Sequence, residues 1–186
     1  MFLSRAIMGA TSSATLGTTA AYDGYSFDGS GDYINAGQDA SIVLTNDFTW
    51  AGWIYPTDDT SETIISRYES TGNKRSLVWQ VSSGVLTAVG STDGTFQVGN
   101  VHISTVSITT NVWTFVTLRL TGGTLYMSKN AGTEESFTQA AVYGGTADLL
   151  IGAHGAGASE LFNGTIQNPF VFNTSLSAHI RLLILI

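Results

Sequence analysis

The chain has 186 residues, a net charge of −7, no cysteine, and only 11% charged residues. Binding to nucleic acid needs clustered Lys and Arg, and the seven present are scattered, which excludes a polyanion as the main partner. Without cysteine there is neither a disulfide framework nor a thiolate metal site, and no apolar run approaches the roughly 20 residues that insert across a membrane.

Residues 1–21 are small, Thr-rich and without a clear period. They read as an extended N-terminal arm, followed by one domain over 22–186. From Tyr25 onward short runs rich in Val, Ile, Thr and aromatics alternate with Gly, Asn, Asp and Ser. That is the pattern of half-buried strands separated by turns. The runs are Tyr25–Asp28, Asp32–Asn35, Asp47–Tyr55, Thr63–Tyr68, Ser76–Val81, Val85–Val89, Val101–Ile108, Val112–Leu120, Thr124–Lys129, Asp148–Ile151 and Pro169–Asn173. Ser83-Gly84 and Gly122-Gly123 are among the turn signals. The two prolines, Pro56 and Pro169, stand at the edges of runs, where proline is tolerated. The spacing predicts an all-β, antiparallel two-sheet sandwich.

Alternation in Asp47–Tyr55 puts Phe48, Trp50, Gly52 and Ile54 on one face and Thr49, Ala51, Trp53 and Tyr55 on the other. Both faces are apolar, so this strand is expected to be central and covered on both sides. In the run that follows Trp113, either Phe115 or Val116 faces the core. A short helix is expected over Leu176–Ile186. Its end, Ile180, Leu182, Leu183, Ile184, Leu185 and Ile186, is apolar nearly all round and must be buried, against this domain or a neighbour.

Catalytic patterns are absent. No strand carries alternating acidic residues of the kind glycoside hydrolysis needs. Glu134 and Glu135 are adjacent and would point to opposite faces, and Asp58, Asp59 and Glu62 read as a turn. His102, His154 and His179 form no metal motif. Gly152–Ser159 is Gly-rich but lacks the lysine of a phosphate loop, and reads as a flexible connection. The chain is therefore not expected to be an enzyme.

Six segments in order resemble the laminin G-like (concanavalin A-like) lectin jelly rolls. They are Tyr25-Ser-Phe-Asp-Gly-Ser-Gly-Asp-Tyr-Ile34, Asp47-Phe-Thr-Trp-Ala-Gly-Trp-Ile-Tyr-Pro56, Thr63-Ile-Ile-Ser-Arg67, the pair Asn111–Leu118 and Gly123–Asn130, Leu150-Ile-Gly-Ala153 with Phe162–Ile166, and Leu176–Leu183. The resemblance implies a two-sheet jelly roll and leaves function open, since the fold hosts binding modules, enzymes and scaffolds.

Such jelly rolls often hold a structural calcium, which takes six to eight oxygens. Asp28 and Asp32 flank a Gly-Ser-Gly turn and could share one, or simply cap that turn. A calcium site would be weakened here, because Gln167-Asn168 stand where the family often has an acidic residue. No other cofactor is expected. A glycan would need exposed aromatic faces with polar neighbours; the candidates are Trp53, Tyr55, Arg67, Tyr68 and Trp79, with Asn73 and Gln80 nearby.

Two functions fit. The chain is a non-catalytic structural component of an assembly, most plausibly a phage or viral decoration protein at the virion surface. Its partners are then copies of itself or a capsid protein, held through the two ends. Alternatively it is an extracellular carbohydrate-binding adhesion module.

Overall fold

The computed structural model describes residues 16–17, 24–157 and 159–177. Thirteen strands follow in chain order: β1 (Leu16–Gly17), β2 (Gly24–Asp28), β3 (Ile34–Gly37), β4 (Phe48–Pro56), β5 (Ser61–Arg67), β6 (Leu77–Ser82), β7 (Val85–Gly90), β8 (Val101–Ser107), β9 (Thr114–Thr121), β10 (Thr124–Lys129), β11 (Glu135–Thr138), β12 (Leu149–Ile151) and β13 (Asn163–Phe172). Short 3-10 turns at Ala40–Ile42 and Val98–Asn100 interrupt them.

The hairpin turns are local chemistry. β6 and β7 are joined by Ser83 and Gly84, and β9 and β10 by Gly122 and Gly123, all four with φ between 52° and 77°. Two consecutive left-handed residues make the turn whose twist matches that of a hairpin, and glycine adopts it without strain.

The strands form two antiparallel sheets, ordered β1-β2-β13-β4-β9-β10-β11 and β3-β12-β5-β6-β7-β8. This is the two-sheet sandwich the strand spacing implies. The core lies between the sheets. Phe48, Trp50 and Ile54 of β4, Val116, Leu118 and Leu120 of β9, and Leu125 and Met127 of β10 meet Leu77, Trp79 and Val81 of β6 and Leu86 and Ala88 of β7. The choice between Phe115 and Val116 is thereby settled: Val116 faces the core, and Phe115 packs beneath Trp53 on the outer face. A register shift in β5 between Thr63 and Ile65 lets both Ile64 and Ile65 join the core, an added residue that strict alternation does not supply.

β4 is central, between β13 and β9. Its outer face is covered unevenly. Thr49 and Ala51 are buried, whereas Trp53 and Tyr55 are half-buried. The chain leaving β13 crosses this face: the Leu176 amide donates to Thr49 Oγ1 (2.9 Å), which donates to the Thr174 carbonyl (3.0 Å). Leu176 and Ser177 lie in no helix. The rest of the expected helix, with Ile180, Leu182, Leu183, Ile184, Leu185 and Ile186, lies outside the described residues, as does most of the arm.

Three expectations change. β11 was not legible, because Glu135–Thr138 has no run of β-formers. β13 starts at Asn163 rather than Pro169, and Pro169 sits at a register shift between Gln167 and Phe170, where no ladder bond is lost to it. Glu62 is not in a turn but on β5, 3% exposed.

Candidate functional site

β5 delivers Tyr68 to one end of the six-stranded sheet, where a cleft of about 150 Å³ opens. Its walls come from four segments: Gln38 after β3, Tyr68, Glu69 and Lys74 after β5, Thr146 and Asp148 before β12, and Ala156 beyond it, with Leu150 also lining the space. The polar groups are held in place. Asp148 Oδ2 accepts from Asn35 Nδ2 (2.7 Å) and Oδ1 from Gln38 Nε2 (2.6 Å). Glu69 Oε1 accepts from the Thr71 amide (2.7 Å), and the Lys74 amide donates to the Glu69 carbonyl (3.1 Å), closing the 69–74 loop on itself.

The Tyr68 ring is fixed too. His154 meets it edge-on at 5.8 Å, and the Arg75 guanidinium lies 5.8 Å from its centroid. The Gly155 amide donates to the Tyr68 carbonyl (3.0 Å), so the Gly-rich segment is tied to the cleft rather than free. Burial pushes the Tyr68 phenol above its usual pKa, with Arg75 opposing. It stays protonated at neutral pH.

Arg67 is 1% exposed and cannot touch a ligand, which corrects its assignment as a polar contact. It lies behind the cleft wall. Nε donates to the Ala147 carbonyl (3.1 Å) and Nη2 to the Gly145 carbonyl (2.6 Å), so one planar group grips both sides of Thr146. Burial lowers its pKa, and the Asp148 carboxylate opposes that.

The other aromatic candidates are not at this cleft. Trp79 is fully buried in the core, and no sugar can stack on it. Trp53 and Tyr55 lie on the outer face of the other sheet, in ring pairs with Phe115 (5.6 Å) and Trp113 (5.5 Å). Of the neighbours, Gln80 is buried and Asn73 turns the loop with φ 53°. Of the five aromatic and Arg candidates, the cleft therefore uses Tyr68 directly and Arg67 from behind. Gln38, Thr146, Asp148 and Leu150 were missed. Glu69 and Lys74 were missed as well, and they alone had a sequence signal, the polar loop that follows an aromatic strand end, Tyr68-Glu-Ser-Thr-Gly-Asn-Lys74.

Of the two carboxylates considered for calcium, Asp28 caps its own turn. Asp28 Oδ1 accepts from the Ser30 amide (2.8 Å) and Oδ2 from its hydroxyl (2.9 Å), the geometry of a turn cap. Asp58 likewise accepts from the Asp59 and Thr60 amides. Among the described residues no three His, Asp or Glu side chains are grouped to hold a metal ion. Glu134 and Glu135 do diverge: Glu134 pairs with Arg119, and Glu135 reaches Thr105.

Comparison with known proteins places this geometry. The profile of the concanavalin A-like lectin/glucanases superfamily matches residues 28–179. The chain belongs to that superfamily. No curated protein matches it. Among solved structures, it is similar to the CBM40 of Ruminococcus gnavus IT-sialidase bound to alpha2,3 sialyllactose, with 14% identity, a TM-score of 0.70, and 87% of this chain and 95% of that one covered. It is also similar to the heptameric SAP-like pentraxin of Limulus polyphemus, with 15% identity, a TM-score of 0.62, and coverage of 87% and 80%. A third is the binding domain of Botulinum neurotoxin serotype D, with 17% identity, a TM-score of 0.66, and coverage of 88% and 42%. At these identities the superfamily likeness is one of fold, a lectin-like jelly roll.

Proposed function

We propose that the chain is a non-catalytic carbohydrate-binding module and that its ligand lies in the cleft beside Tyr68. The observation that carries this reading is an immobilised aromatic ring beside hydrogen-bonding groups already set in place. A sugar offers an apolar C–H face and a ring of hydroxyls. Tyr68 and Leu150 suit the first, and Gln38, Asp148, Glu69, Thr146 and Lys74 suit the second. Asp148 and Glu69 accept bonds from neighbouring amides, which orients their carboxylate oxygens to accept from sugar hydroxyls as well. The cleft is small enough for one terminal sugar rather than a long chain. Superfamily membership, and the sialyllactose named with one structural neighbour, support the ligand class.

A glycan array tests it. The unaltered chain should show hits that Tyr68→Ala weakens at least tenfold, while Trp53→Ala on the opposite sheet keeps them. No hits, or unchanged binding by Tyr68→Ala, overturns the reading.

A second reading, an assembled surface component such as a virion decoration protein, has one observation in its favour. Phe96, Val98 and Ile103 are strongly exposed apolar side chains in a surface of low charge.

A further inference from the structure

A second, larger cleft lies elsewhere. A cleft of about 470 Å³ separates the open edges of the two sheets, lined by Thr105, Val106 and Ser107 of β8 and by Lys129, Thr133 and Glu135 of the β10–β11 hairpin. β8 ends the six-stranded sheet and β11 ends the seven-stranded one, so among the described residues neither has a strand on this side. An open edge normally presents unpaired amides and carbonyls that invite another strand.

Two side chains occupy these groups. Glu135 Oε2 accepts from the Thr105 amide (2.7 Å) and hydroxyl (2.9 Å). Lys129 Nζ donates to the Ser107 carbonyl (2.6 Å) and is 3.2 Å from its hydroxyl. Residues two apart on a strand turn their main-chain groups to the same side. Glu135 therefore stands where a partner carbonyl would be, and Lys129 where a partner amide would be. Both belong to long side chains at the surface and can swing away. The cleft is thus shaped and polarised for an extended main chain.

The same strand and the turn before it carry exposed apolar side chains. Val98 is 81% exposed, Ile103 65% and Phe96 58%, in the turn leading into β8 and on β8 itself. We propose that residues 1–15 of a second copy of this chain add to the β8 edge as an extended segment, displacing Glu135 and Lys129 and covering Phe96, Val98 and Ile103.

Three observations select that occupant. The first is charge: residues 1–15 contain Arg5 and no acidic residue, while all fourteen Asp and Glu follow them. The segment therefore approaches the acidic remainder of another copy without repulsion and meets a freed Glu135. The second is composition. Phe2, Leu3, Ile7 and Met8 supply apolar surface to match the exposed patch, and Thr11–Thr15 is small and polar like the cleft wall. The third is topology. Leu16–Gly17 pairs with β2 at the far edge of the seven-stranded sheet, six strand spacings from β11. That is about 29 Å, before any turn around the sandwich. Fifteen residues reach about 50 Å when fully extended, so a chain serving its own β8 has little length left to pair. One serving a neighbour has no such detour.

Sedimentation velocity over a range of concentrations tests the association. The full chain should associate, and the variant lacking residues 1–15 should do so at least tenfold more weakly. Ile103→Asp, at an exposed position, should act likewise while circular dichroism shows the fold retained. Because the chain has no cysteine, Ser4→Cys and Thr133→Cys can be placed in separate copies. Mixing them under mild oxidation should yield a disulfide-linked pair. A full chain that is monomeric throughout overturns the proposal, as does association that survives both changes. A disulfide that forms only when both cysteines share one chain assigns the cleft to the chain's own segment instead.

Discussion

Glu62 carries a carboxyl in a place that disfavours its charge. It is buried at the start of β5, accepts a hydrogen bond from the Asn163 amide, and has Asp58 and Asp59 nearby. Burial pushes its pKa from 4.5 up to about 7; the Asn163 bond opposes this, and the two aspartates add to it. Below pH 4.5 the folded and unfolded states both hold the proton. Between 4.5 and 7 only the unfolded chain releases it, so stability falls as pH rises and levels off above 7. The loss is about 3 kcal/mol. Glu62→Gln keeps an acceptor for Asn163 and removes the titration. Thermal melts should show it more stable than the unaltered chain by roughly 6–12 °C at pH 8 and nearly equal at pH 4. Arg67 poses the converse case, a buried cation bonded to two carbonyls. Arg67→Lys cannot span both, and should cost about 1–3 kcal/mol in urea unfolding. Amide exchange at residues 144–148 should rise with it, because the strap carrying Thr146 is no longer gripped.

At the scale of elements, β4 shows both what a pattern conveys and what it omits. Its alternation correctly divides Phe48, Trp50 and Ile54 from Thr49, Ala51, Trp53 and Tyr55. The pattern does not say what lies over the second set. Trp53 and Tyr55 look like ligand platforms in one dimension, and their ring partners Phe115 and Trp113 lie some 60 residues away. Trp53→Ala should cost about 2 kcal/mol in chemical denaturation, since a half-buried indole and its pairing with Phe115 are lost. The strands with β-branched and aromatic runs, β4 to β10, were legible, and so were their two-residue turns. β11 was not, because an edge strand with one covered face needs no such run. The cleft was half legible. Tyr68 announces itself as an aromatic at a strand end, but Gln38 and Asp148 become neighbours only because β3 pairs with β12. Trp79 failed as a ligand contact for a related reason: its partners across the sandwich, not its neighbours in sequence, bury it.

The whole molecule has one core, to which both sheets contribute. Trp50 belongs to one sheet and Trp79 to the other, and both are members of the same buried cluster. Neither sheet can keep its inner face dry without its partner. Tryptophan fluorescence and far-UV circular dichroism should therefore melt together as one transition, and a separation between them would mean that the sheets unfold independently. The placing of β13 has a further consequence, for the chain as it is made. β13 lies between β2 and β4 and pairs with both. Phe27 meets Gly164 across that ladder, so an early strand waits for one of the last. At ribosomal speeds of about 5–20 residues per second, the wait lasts on the order of 7–30 s. Throughout it β4 lacks its β13 neighbour, and β2 lacks the strand that ties it to the rest of the sheet. The seven-stranded sheet therefore closes only when Asn163–Phe172 emerge and join β2 to β4.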